Sequence, residues 1–230
     1  MSEVTFLLPF LMLGIIVISV LGNMLVVLSV LLVRALRQPS NLLLLALAVT
    51  DLLVSLIVMP GALMQQLVGE WPLTDSICIA WVFADVFLCT ASILLLTAIC
   101  IDRYLAISRP LRYVPVRTPR LIGCWIILVT ITSGLVSAPV IPAWNNYSSM
   151  ANTSNISRIS PSSSSLCLVP QSPLYQLYAT IVAFYLPLIV ILILNTKVYF
   201  IARRIIDRVG DQVITNNSCL TKVNQFTIRG

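Results

Sequence analysis

Five long runs of apolar residues constrain the fold of this chain more than any other feature. A helix needs about 20 apolar residues to cross the roughly 30 Å hydrocarbon core of a bilayer. Only 10% of the residues are charged, against about 25% in soluble domains. Two runs contain a single aspartate each and the other three contain no charge. The runs are Thr5 to Val33, Leu42 to Met64, Ile77 to Ile101, Leu121 to Ala143 and Leu174 to Asn195.

These runs predict an all-α membrane protein with five transmembrane helices and no soluble domain. The helices are expected at about residues 6–34, 40–65, 76–106, 119–142 and 173–206, in one bundle that covers residues 1–208. Residues 209–230 are polar and are predicted to begin a disordered third cytoplasmic loop. The first run exceeds the 7–15 residues of a signal-peptide core and lacks a basic segment before it, so it is predicted to be a membrane helix.

The basic residues predict which loops are cytoplasmic, because cytoplasmic loops carry an excess of Lys and Arg. Arginines follow the first run and cluster between the third and fourth, and further basic residues follow the fifth; the other side carries Arg158 alone. The N-terminus is therefore predicted to lie outside. The net charge of +6 reflects this topology and does not indicate nucleic-acid binding. Arginines beside the inner surface are expected to meet anionic membrane lipid.

The loop at residues 144–173 is predicted to be extracellular and glycosylated. It is rich in Ser and Asn and contains three Asn-x-Ser sequons, at Asn146, Asn152 and Asn155. A fourth sequon, at Asn216, falls on the predicted cytoplasmic side and is expected to stay unmodified.

Two of the six cysteines are predicted to face an oxidising compartment, where disulfides form. Cys78 begins the third run on the outer side, and Cys167 lies in the outer loop. The other four lie within the runs or on the cytosolic side: Cys89, Cys100, Cys124 and Cys219. Elimination therefore predicts a disulfide that holds the outer loop across the mouth of the bundle. The alternative is two free thiols.

Polar residues of the third run recur on one helical face. Steps of seven and eighteen residues both return to nearly the same side of a helix. This stripe is predicted to face the bundle interior. It contains Cys78, Asp85, Ser92 and Arg103. Charges in a hydrocarbon-length helix are costly, so Asp85 and Arg103 are candidates for function.

Three polar groups at mid-membrane depth are a candidate Na⁺ site. They are Asn23, Asp51 and Ser92, whose oxygens would suit a small hard cation. The alternative is a neutral Asp51 that is hydrogen-bonded between helices, with no ion. No other metal or cofactor is predicted.

Short motifs run through residues 15–205 in a fixed order. They are Gly22-Asn23, Leu47-Ala48-Val49-Thr50-Asp51, Trp71 before Cys78, Asp102-Arg103-Tyr104, Pro110-Leu111, Trp125 and Phe184-Tyr185-Leu186-Pro187. In this order and spacing the chain resembles the rhodopsin-like (class A) G-protein-coupled receptors. Each motif is weak alone, but together they are specific. The resemblance implies a plasma-membrane receptor that couples to a heterotrimeric G protein.

Within that family, the stretch from Asp85 to Ile93 resembles the biogenic-amine receptors, whose aspartate at this position pairs with the protonated amine of the ligand. The resemblance implies a small cationic amine as ligand. The residues expected to line the site are Asp85, Val86, Cys89, Thr180, Ala183 and Phe184. Related receptors usually carry serines on the fifth helix to meet ring hydroxyls; here Thr180 is the main hydroxyl, so a dihydroxyphenyl ligand is not expected. From spacing alone, Asp85 pairing with another helix is the alternative.

The resemblance also assigns a switch for G-protein coupling to Asp102, Arg103, Tyr104, Pro110 and Leu111. It implies that Asp102 holds the neighbouring Arg103 folded back at rest, and that Arg103 extends toward the G protein on activation. Asn195 stands where the family commonly has a tyrosine that helps the active state.

The family's sixth and seventh helices are not found in the sequence, so we expect a fragment or a truncated product. One alternative is a class A receptor for a ligand that is not an amine. Another is a truncated isoform that forms a dimer with full-length receptors. An enzyme is not expected, since the chain has no histidine and no nucleophile-base set. A transporter would need broken helices or inverted repeats, and the halves show no self-similarity.

Overall fold

The computed structural model describes residues 2–34, 38–113, 115–142, 167 and 173–227, with side chains described between residues 7 and 208. Within this part, five helices are long and apolar enough to cross a membrane, which confirms the predicted all-α architecture. Four of them are α1 (Ser2–Leu32), α2 (Pro39–Val68), α3 (Asp75–Ser108) and α4 (Pro119–Ser137). The fifth, α5, begins at Pro173 and ends at Thr227. A short loop helix, Pro110–Tyr113, lies between α3 and α4.

The end of α5 corrects the prediction for residues 209–230. These residues were expected to be a disordered loop, but the backbone stays helical as far as Thr227. After Pro187 the chain contains no further proline, and its only glycines are Gly210 and Gly230. Proline and glycine are the strong helix-stop signals, so polarity alone does not end this helix.

Helices α2 and α5 each contain a π-helical segment just before a proline. Val54–Val58 precedes Pro60, and Thr180–Tyr185 precedes Pro187. Proline has no N–H, and its ring clashes with the carbonyl of the preceding turn. A wider turn accommodates this clash while the helix continues. Neither π segment was predicted from the sequence.

Helix α3 lies at the centre of the bundle and packs against α2, α4 and α5. It contributes to two clusters of buried side chains. The outer cluster consists of Trp71, Cys78, Val82, Val140, Cys167 and Tyr175. The inner cluster consists of Leu43, Leu95, Ala98, Ile122 and Val129. Because α3 belongs to both clusters, it fixes the depth of the residues that lie between them.

The predicted disulfide joins Cys78 to Cys167, with the two Cα atoms 5.7 Å apart. In the same outer cluster, the rings of Trp71 and Trp81 are 5.1 Å apart. The indole N–H of Trp81 donates a hydrogen bond to the carbonyl of Val58 in the π segment of α2, at 3.2 Å. The helices approach closely here because Gly61 has no side chain: a Cβ atom there would overlap the Trp81 indole.

Candidate functional site

Asp85 lies in the outer half of α3, one helical turn below Trp81 and below the outer cluster. Its side chain is half-buried, and the thiol of Cys89 donates a hydrogen bond to its Oδ1 at 3.4 Å. Among the described residues, no Lys or Arg contacts this carboxylate. A carboxylate in a membrane interior without a cation is unfavourable, so Asp85 is well suited to receive a positively charged ligand.

The other predicted ligand residues lie on the two helices that border this position. Val86 packs against the outer cluster. Thr180, Ala183 and Phe184 all lie in the π segment of α5, which contacts α3. The Thr180 hydroxyl donates to the carbonyl of Gln176 in its own helix, at 2.7 Å. Phe184 is exposed and packs edge to face on Tyr185. The fold therefore places this segment beside α3, but the Thr180 and Phe184 side chains are exposed and the Thr180 hydroxyl is engaged by its own backbone.

At the cytoplasmic end of α3, Asp102 is buried and is bound from three directions. Arg117 forms a two-pronged ion pair with its carboxylate, through Nε and Nη2. The Tyr113 hydroxyl donates to Oδ1 at 2.8 Å. The Ser40 hydroxyl lies 3.5 Å from Oδ2. These contacts join α3 to α2, to the short loop helix and to the residues that precede α4.

This arrangement corrects the expectation that Asp102 holds its neighbour Arg103. Consecutive residues of a helix point about 100° apart, so they do not face each other. Asp102 faces the bundle and pairs with Arg117, whereas Arg103 is exposed. No described element covers that side of α3, so the predicted interior position of Arg103 stays a prediction.

Burial, the hydrogen bond to Asp102 and the charge of that carboxylate raise the pKa of Tyr113 to about 12. An ordinary tyrosine, with a pKa of about 10, is already protonated at physiological pH, so the raised pKa extends to higher pH the range over which this phenol donates to Asp102. Tyr113 ends the short loop helix, and this helix places the hydroxyl under the end of α3.

The remaining switch residues lie on both sides of this junction. Tyr104 is half-buried, and its carbonyl accepts a hydrogen bond from Ser108 at 2.6 Å. Pro110 begins the short loop helix, and the side chain of Leu111 is 92% exposed.

The candidate sodium site is assembled in part. Ser92 donates to Oδ1 of Asp51 at 2.7 Å, between α3 and α2. Asn23 instead donates to the carbonyl of Ser19 at 3.0 Å. The hydroxyls of Ser19 and Ser55 are 2.7 Å apart, and Ser55 also donates to the backbone carbonyl of Asp51. Two of the three predicted ligands therefore meet directly, and Asn23 is linked to them through the two serines. Na⁺ binding stays a prediction.

The comparison with protein families agrees with this geometry. The family described as 7 transmembrane receptor (rhodopsin family) matches residues 22–224. The chain belongs to this family. It is a receptor family and not an enzyme family, and the five apolar helices make this rhodopsin-family chain a multi-pass protein of the cell membrane.

Curated relatives of this rhodopsin-family chain carry the names of amine receptors. The 5-hydroxytryptamine receptor 1A-alpha of Takifugu rubripes is 37% identical over 83% of this chain and 42% of its own length. The 5-hydroxytryptamine receptor 7 of Xenopus laevis is 37% identical over 80% of this chain and 41% of its own. The alpha-2B adrenergic receptor of Talpa europaea is 35% identical over 82% of this chain and 45% of its own. The chain thus spans less than half the length of these relatives.

Several residues of this rhodopsin-family site carried no signal in the sequence. Tyr175 is buried at the top of α5, and its hydroxyl has no hydrogen-bond partner among the described residues. A tyrosine within an apolar run usually indicates a residue that packs in the core. Tyr113 and Arg117 are ordinary loop residues by type; Tyr113 reaches Asp102 from the end of the short loop helix, and Arg117 reaches it from the segment before α4. The predicted glycosylation sites, Asn146, Asn152 and Asn155, lie outside the described residues.

Proposed function

We propose that the receptor containing this chain binds a small protonated amine at Asp85 and transmits that binding to a heterotrimeric G protein. The observation that carries the proposal is the half-buried Asp85 carboxylate, which contacts no cation among the described residues. An ammonium ion would supply the missing partner, and each charge would reduce the desolvation cost of the other. The printed names of the relatives, serotonin and adrenergic receptors, favour an amine over other ligands.

Transmission across the membrane relies on α3, which runs from Asp75 to Ser108 and carries Asp85 and Arg103 on the same helix. Eighteen residues separate the two, or about 27 Å at 1.5 Å per residue. A ligand at Asp85 changes the cytoplasmic end only if it binds one arrangement of the helices more tightly than another. The exposed guanidinium of Arg103 is the group that we assign to the G protein.

Amine binding tests this proposal in a receptor that carries the chain together with the family's remaining helices. Asp85→Asn keeps the size of the side chain and removes its charge. Losing one partner of a buried ion pair costs about 3–5 kcal/mol, so the affinity for radiolabelled serotonin is expected to fall by about a hundredfold or more. Serotonin-stimulated nucleotide exchange on the G protein is expected to disappear with it.

Asp75→Asn is the matched control. It removes an exposed carboxylate from the outer end of the same helix, and serotonin affinity should stay within about threefold. If Asp85→Asn also binds serotonin within threefold of the parent at equal surface expression, the amine pairs elsewhere and the assignment is wrong.

A further inference from the structure

The short loop helix Pro110–Tyr113 cannot hold its own position. It is four residues long, and an isolated helix shorter than about 12 residues is marginal in water. None of its residues is buried, so burial of apolar side chains does not fix it against the bundle. Within the described part of the chain, its position therefore depends on polar contacts at its two ends.

The backbone hydrogen bonds around this helix fix its turns but give only one connection to α3. The N–H of Arg109 donates to the carbonyl of Leu105, at the end of α3, at 3.0 Å. The N–H of Tyr113 donates to the carbonyl of Arg109, and the N–H of Arg117 donates to the carbonyl of Tyr113, each at 3.0 Å. The last two bonds stay within the loop, so the far end of the helix needs another contact to the bundle.

Asp102 provides this contact. The Tyr113 hydroxyl donates to its Oδ1 at 2.8 Å, and Arg117 binds its two oxygens through Nε and Nη2. Two successive turns of the loop therefore converge on one carboxylate of α3. The side chains of Arg117 and Asp102 are only 16% and 4% exposed, so salt screens this pair less than a surface pair.

We propose that Asp102 anchors the loop helix and that Arg117 is a positioning residue for G-protein coupling. Arg117 acts by holding Pro110 and Leu111 in place, and this inference rests on the proposed function. It gives Asp102 a role other than restraint of Arg103. Loss of the Asp102 charge would loosen the loop and leave Arg103 exposed as before, so signalling without ligand is not expected to rise.

Hydrogen–deuterium exchange on the purified full chain tests the anchor directly. Arg117→Gln is expected to speed amide exchange at residues 109–117 by about tenfold or more, because two bonds to a charged group are lost. Arg117→Lys keeps the charge and loses the planar fork, so its exchange should lie between the two. Arg120→Gln is the matched control: it removes a nearby exposed arginine, and exchange should stay within about twofold of the parent.

The completed receptor tests the coupling role. Arg117→Gln and Asp102→Asn should each keep serotonin affinity within about threefold and lower serotonin-stimulated nucleotide exchange by about tenfold. Arg117→Lys should recover part of this loss, and nucleotide exchange without ligand should not rise in any of the three variants.

The anchor is wrong if Arg117→Gln leaves amide exchange at residues 109–117 unchanged, or speeds it equally in the outer half of α3. A rise in ligand-free nucleotide exchange in Asp102→Asn would show that Asp102 restrains Arg103, and would also overturn the proposal. If the parent receptor does not respond to serotonin, the proposed function fails and the coupling role of Arg117 fails with it. The amide-exchange result stands apart from that failure, because it needs neither ligand nor G protein.

Discussion

Asp102 is a buried carboxylate that ties together residues from three parts of the chain. Arg117 neutralises its charge, and the hydroxyls of Tyr113 and Ser40 contact its remaining lone pairs. The ion pair holds the segment before α4 against the end of α3, and Arg103 is left exposed beside it. A buried charge that loses its partner is costly, so Arg117 should matter for the stability of this end of the bundle.

Arg117→Gln is expected to lower the free energy of unfolding by about 2–3 kcal/mol. This is less than the usual cost of breaking a buried pair, since Tyr113 and Ser40 still donate to the carboxylate. Thermal unfolding of the detergent-solubilised chain measures the loss as a lower midpoint temperature.

Arg120→Gln serves as control, because it removes an exposed arginine three residues away and should change stability by less than about 0.5 kcal/mol. Combining Arg117→Gln with Asp102→Asn should recover part of the loss, because no charge then stays buried alone. If the double variant loses more unfolding free energy than the two single variants lose together, the ion-pair account is wrong.

Among the helices, α2 and α3 are held together where the π segment of α2 meets Trp81. The indole satisfies the Val58 carbonyl and lies against Trp71. In a membrane interior, backbone polar groups must be satisfied within the protein, so this hydrogen bond contributes to keeping the irregular turn in place. Gly61 permits the contact, because any side chain there would overlap the indole.

Gly61→Ala is expected to destabilise the chain by about 1–3 kcal/mol, the usual cost of overpacking. The added methyl group displaces Trp81 and breaks its hydrogen bond to Val58. Tryptophan fluorescence should shift, and the thermal midpoint should fall.

The same change at Gly123 provides the comparison, because nothing lies within 4 Å of a Cβ atom there. Gly123→Ala should be neutral or stabilising by up to about 1 kcal/mol, since alanine favours the helix. If both variants have the same midpoint as the parent, the close contact at Gly61 does not exist in solution.

Over the whole molecule, the disulfide between Cys78 and Cys167 connects the outer loop to the central helix. The two cysteines are 89 residues apart in the chain, so the bond restricts a large part of the unfolded ensemble. Both are buried in the outer cluster with Trp71 and Tyr175, and that cluster lies above Asp85. The bond therefore helps to hold the outer cluster in place above the candidate amine site.

Cys78→Ala combined with Cys167→Ala is expected to lower the free energy of unfolding by about 2–5 kcal/mol, the usual effect of losing a native disulfide. Thermal unfolding with and without dithiothreitol measures this. The reductant should destabilise the parent and leave the double variant unchanged.

Cys124→Ala is the control, because that thiol is free and exposed on the outside of the bundle. It should unfold like the parent in both conditions. A double variant that the reductant destabilises as strongly as the parent would show that the effect does not come from this bond.

The order of the amino acids alone predicts the five membrane helices, their orientation, the pair of external cysteines and the candidate charge at Asp85. The bilayer is one reason, because hydrocarbon admits only long apolar helices whose backbone groups are satisfied internally. The other reason is that each of these features depends either on residues close together in the chain or on which side of the membrane a residue lies.

Which side chains contact each other follows from the packing of the helices in three dimensions. Arg117 rather than Arg103 binds Asp102, and Ser19 rather than Asp51 accepts the hydrogen bond of Asn23. These contacts depend on how separate helices are rotated and how loops return to them, which spacing along a single helix does not specify.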